Sequence, residues 1–102
     1  MENLELVCFQ IISAVGSARS SYVEAISIAK TGNFEEAINK IKEGDKEFLE
    51  GHRAHATLIQ QEANDNPVHV NLLLVHAEDQ LMSAETTKLI AEEIIELYKK
   101  QA

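Results

Sequence analysis

The chain is short of turn-formers. Its 102 residues include one proline, four glycines and no tryptophan, and aromatics reach only 5%. An all-β protein needs frequent turns and strands rich in aromatic or β-branched residues, so that class is excluded. With Cys8 as the one cysteine, no internal disulfide can form. Cys8 falls on the apolar face of the first periodic segment and reads as a core thiol in a reducing compartment. No apolar run approaches ~20 residues, the length a membrane span needs. The N-terminal stretch "MENLELVCFQIISAVGS" is acidic where a signal peptide needs basic residues. A cytoplasmic location is expected. Positive charge is also scarce: nine basic residues are scattered among 17 acidic ones, for a formal charge of -8. Nucleic acid and direct membrane binding are therefore excluded, since both rely on concentrated Lys and Arg. A basic protein partner remains compatible through electrostatic steering, and the charge also serves solubility.

What remains is rich in Ala, Glu, Ile, Leu and Lys, which favour helices. A chain of this length fits one domain, spanning residues 1–102, with a core of its own. Leu4, Cys8, Ile11, Val15, Ala18, Tyr22, Ala25 and Ala29 step by four and three residues, a heptad seam. "KTGNF" ends that helix, with Gly32 able to turn and Asn33 able to cap the next helix. The second helix is expected from about Phe34 to Ala63, with Phe34, Ile38, Ile41, Phe48, His52, His55 and Ile59 on its buried stripe. "EANDNPV" ends it, and Pro67 suits the start of a third helix running from about Val68 to Lys100. That helix carries two stripes. Leu74, Ala77, Leu81, Ala84, Ala91, Ile95 and Tyr98 form one, and Val75, Asp79, Met82, Thr86 and Leu89 the other. A helix with two stripes packs on its own bundle and on another subunit. The expected fold is all-α, an antiparallel three-helix bundle of long helices assembling through a coiled-coil-like core, with polar Asp79 setting register.

Chemistry concentrates in "LLLVHAEDQLM", residues 72–82, where His76 and Asp79 are three apart and share a helix face. A helical histidine beside a carboxylate can bind metal, move protons or act as a nucleophile. His52 and His55, with His76 and Asp79, would make a zinc set across two helices, although the spacing is generic. Paired Glu-x-x-His motifs for a di-iron site are absent, as are a nucleophile elbow and a glycine-rich phosphate loop. An enzyme with its own substrate pocket is thus disfavoured. A histidine that takes a phosphoryl group from one protein and gives it to another stays open, as does a non-enzymatic acidic helical module that binds a basic partner.

The strings "HATLIQQEA", "LLLVHAEDQLMSAE" and "LIAEEIIELYKK", with the opening "NLELVCFQIISAVGSARSSYVEAISIAKTGNFEEA", closely resemble the IIA component of the lactose/cellobiose family of the phosphoenolpyruvate-dependent sugar phosphotransferase system. The resemblance covers nearly the whole chain. It implies a homotrimeric phosphocarrier in the uptake of a β-linked disaccharide of the cellobiose, chitobiose or lactose type. In that role His76 accepts phosphate through Nε2 from HPr and passes it to a cysteine of the cognate IIB, which serves the membrane component IIC. Asp79 matches an aspartate that surrounds a divalent cation on the trimer axis, usually Mg²⁺, one per trimer. Gln80 stands where relatives often carry His, and Glu78 where they often carry Gln. Gln80, or a hydroxyl on Ser83 or Thr87, is the expected neutral donor to the phosphate.

Overall fold

The computed structural model describes residues 3–102. It contains three helices, α1 (Leu4–Lys30), α2 (Phe34–Ala63) and α3 (Leu72–Gln101), arranged up, down and up in a rod measuring 53 × 21 × 16 Å. None is long and apolar enough to cross a membrane.

The heptad seam of α1 is the spine of the bundle. Cys8, Ile11, Val15, Ala18, Tyr22, Ala25 and Ala29 are all buried, while Leu4, the first residue of the helix, is half-buried. Two clusters follow along it. One joins Cys8, Ile11 and Val15 to Leu58 of α2 and to Leu74, Ala77, Leu81 and Ala84 of α3. The other joins Ala18, Tyr22, Ala25 and Ala29 to Ala37, Ile41, Ala91 and Ile95. At the first joint Gly32 adopts φ +89, a left-handed turn that closes α1, and its N–H donates to the Ala29 carbonyl. Asn33 occupies the cap position of α2 without lending its side chain to the helix.

The buried face of α2 differs from the expected stripe. Ala37, Ile41, Gly44, Gly51 and Leu58 are buried, with half-buried Phe48 and His55 in register between them, whereas Ile38, His52 and Ile59 are exposed. The reason is the identity of the contact residues. A Cβ at Gly44 would lie 2.6 Å from the Tyr22 ring, and one at Gly51 would lie 2.6 Å from Val15 Cγ1. Helices α1 and α2 approach so closely there that only hydrogen fits. A search for large apolar side chains passes over these positions and lands one residue away.

A single carboxylate ties the three helices together. Asp45 Oδ1 of α2 accepts from the Tyr22 hydroxyl of α1 at 2.7 Å and from Lys88 Nζ of α3 at 3.0 Å. Burial, with the Asp45 carboxylate beside it, holds the Tyr22 phenol well above the usual tyrosine range, so it remains a protonated donor.

Helix α3 starts later than expected. Residues 67–71 run without helical structure, and the first helical residue is Leu72. Asn71 is the cap: its side-chain oxygen accepts from the Leu74 N–H at 2.9 Å and its carbonyl accepts from Val75 N–H at 3.1 Å. Pro67 therefore sits outside the helix. The β-branched Val68 and Val70 that follow it suit extended backbone. Beyond the cap the first stripe behaves as read, with Leu74, Ala77, Leu81, Ala84, Ala91 and Ile95 buried and Tyr98 half-buried.

Candidate functional site

The late start of α3 decides the surroundings of His76, which becomes the fifth residue of the helix. Helical side chains lean toward the N-terminus, so its imidazole overlies the first turn. With the Leu74 and Val75 amides taken by Asn71, those of Leu72 and Leu73 stay unsatisfied within the helix, and the positive end of the helix dipole faces that surface. His76 is exposed. One turn earlier on its face lies Leu72, with 84% of its surface open, and Val75 beside it is 52% open. An accessible imidazole flanked by apolar side chains suits contact with another protein more than retention of a small molecule. The two larger grooves, between α1 and α2 and between α2 and α3, lie away from it.

Asp79 is also exposed and forms no ion pair among the described residues. It sits in the middle of the second stripe of α3, between Val75 and Met82, and the latter is 61% exposed, as is Leu89 further along. An unpaired carboxylate inside an otherwise apolar exposed stripe is costly to cover in the absence of a compensating charge. The stripe thus has the character of an interface with a built-in polar requirement.

Glu78 turns the other way. Its Oε1 accepts from His55 Nε2 of α2 at 2.6 Å, a short charge-assisted hydrogen bond on a half-buried pair. The contact pins α2 to the turn of α3 that carries both His76 and Asp79, and so fixes the rotation of that turn. Charge on Glu78 also acts on Cys8: burial first, and that carboxylate second, push the Cys8 thiol up. Gln80 is half-buried.

The remaining histidines separate. The ring of His52 stacks on Phe48, with centroids 6.4 Å apart and planes 22° from parallel, and lines the groove between α2 and α3. His69 is exposed on the connection before α3. Among the described residues no three His, Cys, Asp or Glu side chains converge to hold a metal ion. The zinc set built from His52, His55, His76 and Asp79 is therefore not assembled within one chain, because His55 is bonded to Glu78 and His52 lies against Phe48.

The hydroxyls named as alternatives to Gln80 have other partners. Thr87 Oγ1 donates to the Ser83 carbonyl at 2.8 Å, and Ser83 Oγ accepts from Arg19 Nη1 of α1 at 3.2 Å. Neither the His55–Glu78 contact nor the Arg19–Ser83 contact leaves a mark in sequence spacing, since their partners are 23 and 64 residues apart.

Comparison with known proteins gives a consistent picture. The family described as PTS system, lactose/cellobiose-specific IIA subunit matches residues 6–99. The lichenan-specific phosphotransferase enzyme IIA component of Bacillus subtilis (strain 168) is 46% identical over 99 residues, covering 97% of this chain and 90% of that protein. The lactose-specific EIIA component of Staphylococcus aureus (strain N315) is 32% identical over 99 residues, covering 97% and 96%. Among solved structures, the cellobiose-specific enzyme IIA of Bacillus anthracis superposes with a TM-score of 0.94 at 40% identity, covering 99% of this chain and 93% of that one. The IIA(chitobiose) chain of Escherichia coli, solved in complex with HPr, superposes at 0.84 with 33% identity and 99% and 98% coverage. The exposed histidine over a helix start, the capped third helix and the three-helix bundle thus occur in a chain that belongs to the lactose/cellobiose-specific IIA family of the sugar phosphotransferase system.

Proposed function

We propose that His76 is the phosphoryl acceptor of this IIA component, taking the group from phosphorylated HPr and passing it to a cysteine of a cognate IIB. The observation that carries the reading is the exposed imidazole over the first turn of α3, in the string "LVHAEDQLM". The E. coli relative solved with HPr supports the first partner. In each step the neutral imidazole or the incoming thiolate attacks phosphorus in line as the bond to the donor breaks, so placement and charge stabilisation do most of the work. Two features of this chain serve that end. The unsatisfied amides at the start of α3 favour the negative phosphoryl group, and Gln80, four residues on and on the same face, offers a neutral N–H donor.

The working unit we propose is a homotrimer in the cytoplasm, packed along Val75, Asp79, Met82, Thr86 and Leu89. Covering the half-open Val75, Met82 and Leu89 side chains would contribute on the order of 1 kcal/mol each. Three Asp79 carboxylates meeting on an axis fit a hard dication such as Mg²⁺, with oxygen ligands only, and the cation would relieve their repulsion. The sugar served is a β-linked disaccharide of the cellobiose, chitobiose or lactose type, and IIB carries the phosphate onward to the membrane component IIC.

Incubation with phosphoenolpyruvate, the first enzyme of the relay and HPr tests the reading. The expected result is a mass gain of one phosphoryl group, mapped to His76. No gain would leave an acidic helical interaction module instead. The axial role of Asp79 has its own test. Asp79→Leu is expected to remain trimeric in the presence of a chelator, whereas the parent trimer weakens, because an apolar axis needs no counter-charge. Sedimentation with and without chelator reads this directly, and a monomeric variant would place Asp79 off the axis.

A further inference from the structure

We propose that His55 is a positioning residue for phosphoryl transfer at His76, acting through its bond to Glu78, an inference that rests on the reading of His76 given above. Glu78 follows His76 by two residues, about 200° around the helix. The His55–Glu78 bond therefore grips the inner side of the turn whose outer side carries the imidazole. Its role is to hold the backbone from which His76 projects, and it makes no contact with the phosphoryl group.

That backbone has few other holds. From Leu72 to Gln80 only Leu74 and Ala77 are buried, in the cluster with Cys8 and Ile11 of α1, and Ala77 offers a single methyl group as a lever. Leu72 and Val75 stand open to solvent. Among the described residues, Glu78 is the one side chain from Leu72 to Met82 that hydrogen-bonds to another helix. The next side-chain tie between α3 and α2, Lys88 to Asp45, comes ten residues further on, about 15 Å along the helix. The bond itself is short, at 2.6 Å, and directional. Its two side chains are 16% and 45% exposed. A pair this open to water contributes little to global stability, so clamping the fold is a poor account of it. What such a bond does fix is the angle of a turn that is otherwise free on its outer side. In-line attack depends on that angle, because a displacement of about 1 Å can cost on the order of a hundredfold in rate.

The test measures single-turnover transfer from phosphorylated HPr to the parent protein and to His55→Leu, Glu78→Leu, His55→Gln and Glu78→Gln, with Tm determined for each. Rates are read at a temperature where circular dichroism shows the variants folded. The two Leu variants break the bond and should transfer roughly tenfold to a hundredfold more slowly. For His55→Leu the half-saturating HPr concentration should stay within about twofold, since the change lies behind the site. The Gln variants keep a donor near the place of Nε2 or an acceptor at that of Oε1, and should stay within about threefold of the parent. The double variant His55→Leu with Glu78→Leu leaves no lone charge between the helices, so it should melt close to the parent even where a single Leu variant loses its fold. It should nonetheless be slow, and within about threefold of the slower single variant, because both changes break one bond. A Leu variant, single or double, that transfers at the parent's rate would overturn the inference. So would Gln variants as slow as the Leu ones, or a double variant slowed by the product of the two single effects. A parent protein that takes no phosphoryl group would overturn the reading of His76, and this inference with it.

Discussion

A His76→Gln variant is expected to take up no phosphoryl group while folding as the parent does. Glutamine keeps the size and polarity of the side chain and removes the nitrogen lone pair that attacks phosphorus. The structure sets the second half of the expectation. His76 is exposed, makes no side-chain hydrogen bond among the described residues and belongs to neither core cluster. Surface changes of that kind cost within about 0.5 kcal/mol. Mass spectrometry after incubation with the phosphorylated donor measures the first effect, and thermal denaturation at fixed protein concentration measures the second. A variant that fails to fold would make His76 a packing residue. One that still gains a phosphoryl group would move the acceptor elsewhere, and His52 and His69, both exposed, would be the first positions to map.

Substitution of the helix glycines should give effects of opposite sign. Gly44→Leu is expected to destabilise the bundle by about 3 kcal/mol or more, at the upper end of overpacking costs, and to lower Tm by more than 10 °C, at about 4–8 °C per kcal/mol for a chain of this size. A Cβ at that position meets three atoms of the Tyr22 ring, at 2.6, 2.9 and 3.1 Å. That ring cannot step aside, because it is fully buried and its hydroxyl is held by Asp45 at 2.7 Å. The helices would have to separate, and the link from Asp45 to Lys88 would move with them. Gly16→Ala should instead stabilise by about 0.5–1 kcal/mol, the usual helix preference for alanine. It lies within α1 and an added Cβ there meets nothing within 4 Å. Urea denaturation of the two variants at one protomer concentration decides the matter, the concentration being fixed because assembly contributes to apparent stability. A Gly44→Leu protein as stable as the parent would mean that the close approach of α1 and α2 is not rigid.

These glycines also explain what could and could not be read from the amino-acid order. The α1 seam was legible because its buried positions carry side chains whose apolarity repeats by four and three. On α2 the expected stripe held at Ile41, Phe48 and His55 but took Ile38 and His52 in place of their neighbours Ala37 and Gly51, because a small or missing side chain has little hydropathy to detect. A search for close approach, with glycine and alanine scored as contacts, would have found Ala37, Gly44 and Gly51 at heptad spacing. The start of α3 was written in Asn71, a strong cap immediately before "LLLV", but Pro67 offered a competing start four residues earlier. Side-chain clasps set by the packing of the bundle remained hidden. Nothing local joins Arg19 to Ser83 or His55 to Glu78, so both contacts required the folded chain. His76 belongs to neither apolar stripe of α3 and is exposed.

Cys8 gives the bundle a further property. A thiolate is a better nucleophile than an imidazole, and a protein storing a reactive phosphorus–nitrogen bond would short-circuit if such a sulfur could swing toward it. Here the sulfur is entirely enclosed, packed with Ala77 and Leu81 in the same stretch of α3, and kept as the sluggish protonated form by burial and by the nearby Glu78 charge. Under the role proposed for His76, that silence would let a phosphoryl group held there wait for a visitor.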